Sequence, residues 1–122
     1  MQLGGNAPLL RVNNGGVKMS QLKRGDVFFA DMGNKCRPYL VVQNDTGNYY
    51  SGRTIVVPLT SKINKQLPTH CVVCYGKIYP SAVQCEEIAC VEVKADWEAA
   101  EHFPPEIMRH IDSCLKIAIG LE

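Results

Sequence analysis

A small, mainly β barrel closed by a C-terminal amphipathic helix is the fold this sequence predicts, on three observations. Short aromatic and β-branched runs recur at about ten-residue spacing from Arg24 to Val93, which suits a small barrel or sandwich rather than βαβ units. Ile107, Met108, Ile111, Cys114, Leu115, Ala118 and Ile119 then repeat with helical period. The chain has 122 residues, enough for one domain with a core of its own.

Residues 1–18 hold Gly4, Gly5, Asn13, Asn14, Gly15 and Gly16 with little periodicity, and read as a flexible N-terminal arm before a compact domain over 19–122. The arm has neither the charged start nor the apolar stretch of a secretory signal. Strands are expected at 25–31 (GDVFFAD), along the apolar run at 37–45 (RPYLVVQND), and at 54–61 (TIVVPLTS), where Pro58 predicts an edge or a bulge. Residues 46–53 (TGNYYSGR) read as a loop. THCVVCY (69–75), SAVQC (81–85) and IACVEV (88–93) complete the β pattern. A helical turn is expected over 96–102, capped by Asp96 and anchored by Trp97. Pro104 and Pro105 open the final helix and Gly120 stops it.

Composition narrows the function. Apolar residues make up 46% and charged ones 20%, which argues against a disordered chain. No run approaches the ~18 apolar residues of a membrane span. A net charge of +1 excludes a strongly cationic coat but leaves room for a local basic patch. With no export signal, the six cysteines (Cys36, Cys71, Cys74, Cys85, Cys90, Cys114) read as mostly buried small hydrophobes in a reducing cytoplasm.

The chemistry is sparse. His70-Cys71-x-x-Cys74 is half a zinc motif without its second half, and strand alternation turns Cys71 and Cys74 to opposite faces. Cys36 lies between Lys35 and Arg37 but has no His–Asp partner nearby. Asp26, Asp31 and Asp45 sit at strand ends, where turn capping accounts for them. What remains is Arg37 at the start of the second strand and Thr60-Ser61 at the end of the third. Adjacent strands would bring a planar guanidinium and a hydroxyl to one rim, a pairing suited to a phosphodiester. Lys35, Lys62 and Lys65 could surround that rim, with Tyr49, Tyr50 and Arg53 as neighbouring stacking surfaces.

At these residues the sequence resembles the MazF/PemK-like toxins of bacterial toxin–antitoxin modules. The strings are RGDVFFAD (24–31), RPYLVVQNDTGNYYS (37–51), TIVVPLTSKI (54–63) and LPTHCVV (67–73), within a likeness that spans residues 22–120. The resemblance implies an SH3-like β-barrel with a C-terminal helix, a homodimer in the cytoplasm, and neutralisation by a cognate antitoxin. It implies a sequence-specific endoribonuclease that cuts single-stranded RNA with neither metal nor cofactor. The 2′-OH attacks the adjacent phosphate and leaves 2′,3′-cyclic phosphate and 5′-OH ends. By motif position it assigns catalysis to Arg37 and Thr60, with Ser61 beside them. RNA contacts fall on Asn34, Lys35, Lys62, Leu67, Thr69, His70 and Glu86.

Two departures stand out. Only Met32, Gly33, Asn34, Lys35 and Cys36 separate Asp31 from Arg37, where many relatives carry a longer Gly-rich loop, and Ala89 replaces a frequent basic residue. The other readings are therefore a catalytically weakened RNA- or antitoxin-binding module on the same fold, and a gyrase-directed toxin.

Overall fold

The computed structural model describes residues 22–33, 35–64 and 67–121. The expected N-terminal arm, Asn34 and Lys65 lie outside the described residues. In chain order the elements are β1 (Asp26–Asp31), β2 (Cys36–Val41), α1 (Asp45–Tyr50), β3 (Arg53–Thr60), β4 (His70–Tyr75), β5 (Ile78–Gln84), β6 (Ala89–Glu92), β7 (Glu98–His102) and α2 (Pro105–Ile119). The strands pair antiparallel in the order β4-β5-β3-β2-β1-β7, and β6 also pairs with β3. The mainly β fold with a C-terminal helix is as expected.

β3 is the strand on which the sheet turns. One side pairs with β2 from Val56 to Pro58; the other pairs with β6 from Arg53 to Val56 and with β5 at Leu59 and Thr60. Pro58 marks no bulge, and the edge it marks is local, since β3 itself lies inside the sheet. It sits opposite Tyr39 on the β2 side, and on the other side it falls in the gap between the β6 and β5 ladders. Its missing N–H therefore costs no ladder bond there.

Successive residues of the central strands enter different cores. Val27, Leu40 and Val57 pack with Leu59, Val83, Phe103, Met108 and Ile111. Phe28, Tyr39, Val41 and Val56 pack with Leu22, Val93 and Trp97 on the opposite face. Burial on both faces is why these strands read as nearly continuous apolar runs. The α2 stripe lies on the first core, with Met108 and Ile111 buried and Ile107, Cys114, Leu115 and Ala118 packed against it; Ile119 remains exposed. Pro105 stands at the first turn, and Gly120 closes the helix in the left-handed region at φ 75°.

Several local expectations are corrected. The loop expected over 46–53 contains α1, started by Asn44, whose Oδ1 accepts from the Gly47 N–H at 2.7 Å. The turn expected over 96–102 is instead β7. Glu98-Ala-Ala-Glu is a good helix former, but the open edge of β1 needs backbone partners, and pairing outweighs propensity there. Trp97 does anchor the segment, stacking on Phe28 with ring centroids 3.9 Å apart. β5 starts at Ile78, ahead of the expected position. The cysteines are not mostly buried: only Cys85 is, while Cys36, Cys74 and Cys90 are exposed and Cys71 and Cys114 half-buried. Within β4, Cys71 packs on the core and Cys74 faces outward. Asp26 acts as a turn acceptor for the Lys23 N–H at 2.8 Å, whereas Asp45 accepts from the distant Arg24 N–H at 2.7 Å and so ties the start of α1 to the residues before β1.

Candidate active site

The β1–β2 hairpin pairs Asp31 with Cys36 and Ala30 with Arg37, so the short 32–35 connection delivers Arg37 at the start of β2. In the β2–β3 ladder Tyr39 faces Pro58. Continued along the same face, that register sets Arg37 opposite Thr60, the end of β3. The side chain follows: Arg37 Nη2 donates to the Leu59 carbonyl at 3.4 Å and to Gln84 Oε1 at 3.0 Å. Its Cζ lies 6.0 Å from the Tyr39 ring centre. Thr60 Oγ1 accepts from the Lys62 N–H at 3.2 Å, which leaves the hydroxyl proton free to donate among the described residues.

These groups line one open groove of about 580 Å³. It brings together Lys35, Arg37, Thr60, Ser61 and Lys62 from the sequence reading. It adds Phe29, Lys77, Tyr79, Gln84 and Glu87, which that reading missed. Four cations against one carboxylate make a basic surface on a nearly neutral chain, the local patch that net charge left open. Gln84 did leave a signal, as a lone amide within the apolar SAVQC run. Lys77 and Tyr79 left none, because the β4–β5 hairpin that carries them reaches the groove only through the pairing of β5 with β3.

Other expected residues gather elsewhere. Thr69, His70 and Glu86 form a cluster of their own outside the groove lining: Thr69 Oγ1 donates to Glu86 Oε1 at 2.7 Å, and His70 Nε2 lies 2.9 Å from Glu86 Oε2. Burial pushes the Glu86 carboxyl up, but the bonds from Thr69 and His70 outweigh it and hold the group below its ordinary range. The cluster adjoins the groove through the ladder, where His70 is paired with Gln84. Leu67 is exposed and lines no part of the groove. Tyr49, Tyr50 and Arg53 do not flank it either, which corrects the expected stacking surface: the tyrosines meet edge-to-face on α1, and Arg53 Nη2 donates to the Cys90 carbonyl at 3.2 Å. Among the described residues no group of three His, Cys, Asp or Glu side chains is arranged to hold a metal ion.

Comparison with known proteins agrees with this architecture. Residues 23–119 match the family described as PemK-like, MazF-like toxin of type II toxin–antitoxin system. The chain is 35% identical over 111 residues to Endoribonuclease EndoA of Bacillus subtilis (strain 168), covering 82% of this chain and 96% of that protein. Among solved structures it is similar to an endoribonuclease in complex with its cognate antitoxin from a mycobacterial species. That match has a TM-score of 0.75 and 24% identity, over 83% of this chain and 97% of the other. It is also similar to a MazE–MazF complex from Deinococcus radiodurans, with a TM-score of 0.69 and 17% identity, over 81% and 95% of the two chains.

Proposed function

The chain belongs to the PemK-like, MazF-like toxins of type II toxin–antitoxin systems, and from that premise we propose that it is an endoribonuclease toxin whose active site is the Arg37–Thr60 groove. The substrate is single-stranded RNA. The reaction is transesterification: the ribose 2′-hydroxyl gives up its proton to solvent as its oxygen bonds to the adjacent phosphorus, the bond to the 5′-oxygen breaks, and that oxygen takes a proton from solvent, leaving a 2′,3′-cyclic phosphate and a 5′-OH. DNA lacks the attacking hydroxyl and is not a substrate.

The carrying observation is the Arg37 guanidinium, bonded to the Leu59 carbonyl near the end of β3, in the same groove lining as Thr60. Charge grows on the non-bridging phosphate oxygens as the phosphorus becomes five-coordinate. Fixed donors in a groove stabilise that charge without having to reorganise. Arg37 supplies a delocalised cation and N–H donors and offers no acceptor, so it serves as a clamp and not as a base. Thr60 supplies one O–H donor. Ser61 stands beside it in the same lining, and Lys35, Lys62 and Lys77 hold the flanking phosphates. The reading includes a homodimer and an antitoxin that covers the groove. It places the protein in the cytoplasm. Six unpaired cysteines suit that compartment, and among the described residues no helix is long and apolar enough to cross a membrane.

The test is incubation of the purified protein with mixed-sequence single-stranded RNA in EDTA, beside Arg37→Ala, with the product ends mapped. Cuts at one short motif with cyclic-phosphate ends, lost in the variant, are expected. Absence of cleavage across varied sequences would sink the assignment in favour of a non-catalytic binder.

A further inference from the structure

We infer that Gln84 is the positioning residue for Arg37: its side-chain carbonyl presets the guanidinium over the groove while leaving the full positive charge for the substrate phosphate. The inference rests on the reading of Arg37 as the phosphate clamp.

The mount is rigid. Gln84 ends β5, its backbone is paired with His70 of β4, and its carbonyl accepts from the Glu87 N–H at 3.0 Å. The strand is fixed to β3 through Leu59–Val83 and Thr60–Ala82. Arg37 stands on the other side of β3 and reaches across it to Gln84 Oε1 at 3.0 Å, passing the Leu59 carbonyl at 3.4 Å. Among the described residues these are its hydrogen bonds, and both start from Nη2. The two acceptors match the two Nη2 protons. Nε–H and both Nη1 protons therefore remain for a ligand.

The chemistry of the acceptors matters as much as their place. A free arginine side chain samples many rotamers, and a clamp that must first be ordered loses rate. A carboxylate at position 84 would order it more strongly, but would also neutralise it against an anionic transition state. A carboxamide and a peptide carbonyl order the guanidinium and carry no net charge. Gln84 thus acts through Arg37.

The test compares Gln84→Leu and Gln84→Glu, alone and with Arg37→Ala, by RNA cleavage and by the NMR signal of the Arg37 Nε–H, assigned by its loss in Arg37→Ala. Gln84→Leu should lower kcat roughly tenfold, on the scale of a misplaced group, with KM within about twofold. It should also move the Arg37 signal toward that of a free arginine. Gln84→Glu, which keeps the acceptor and its size, should leave the signal restrained yet lower kcat more at neutral pH, with recovery as the pH falls and the new carboxyl is neutralised. Neither substitution should lower activity further in the Arg37→Ala background. An Arg37 signal unmoved by Gln84→Leu overturns the inference, as does an equal loss of cleavage with and without Arg37. Unimpaired cleavage by Arg37→Ala would instead refute the phosphate-clamp role, while the signal still reports whether Gln84 orients the side chain.

Discussion

The proposed mechanism gives Arg37 and Thr60 different work on one phosphate, so their replacements should separate. Arg37→Ala removes a strong transition-state donor and should lower kcat by about 100-fold, equivalent to about 2.7 kcal/mol of barrier. Arg37→Lys keeps the charge but loses the planar fork that reaches Leu59 and Gln84, and should recover only part of that loss. Thr60→Ser should stay near the unaltered rate and Thr60→Ala should fall at least tenfold, since the proposal has the hydroxyl donate to the phosphate. Single-turnover cleavage of a labelled oligonucleotide measures all four. The placement of Arg37 and Thr60 on one groove was legible in sequence, because Arg-Pro opens a strand after a tight connection and Thr60 closes the next one. The Gln84 contact was not legible. It joins residues 47 apart across an intervening strand, and only the β3–β5 pairing creates it.

Among the elements, the β4–β5 hairpin is the one whose turn bears most directly on the groove. Gly76 has φ +57°, and a Cβ there would fall on the Glu101 carboxylate. That carboxylate accepts from the Lys77 N–H at 2.9 Å and the His102 N–H at 3.2 Å, and these two N–H groups hold the Glu101 carboxyl below its ordinary range. Tyr75 packs edge-to-face on Phe103 just before the turn. The turn is thereby pinned to β7, and Lys77 and Tyr79 are carried to the groove wall. Gly76→Ala should cost about 1–3 kcal/mol from backbone strain and displaced carboxylate together, read as a lower Tm. A Tm unchanged within error would mean the turn yields without cost. The hydrophobic pattern revealed most strands and α2, because burial writes periodicity into sequence. It missed α1, whose signal was one capping asparagine, and β7, whose residues prefer a helix in isolation. Both are decided by neighbours: Asn48 of α1 is buried against Thr54 of β3, and β7 completes the edge of β1.

At the scale of the whole molecule, charge is nearly balanced, yet its distribution is not, and two measurements follow. Glu86 and Glu101 both titrate below the ordinary carboxylate range when folded. A depressed folded pKa adds stability above the unfolded value, and that stability is lost as pH falls through the folded one. Tm should therefore decline as pH falls below about 4.5, the ordinary glutamate value. Glu86→Gln combined with Glu101→Gln should flatten that decline; an acid limb of the same depth in the double variant would assign it to other groups. Salt should report the groove. If Lys35, Arg37, Lys62 and Lys77 each neutralise one phosphate of a single strand, the logarithm of the binding constant should fall against the logarithm of salt concentration with a slope of about −3 per groove. A 2′-deoxy oligonucleotide allows the measurement without cleavage. Lys77→Ala should make that slope shallower by about 0.7, the release associated with one contact on a single strand. Tyr79 is 85% exposed in the same wall, and a base stacked on it adds affinity without charge. Tyr79→Ala should therefore weaken binding at every salt concentration and leave the slope unchanged. A slope near zero in the unaltered protein would mean that the four cations do not meet phosphates, and the groove would then lose its claim to RNA.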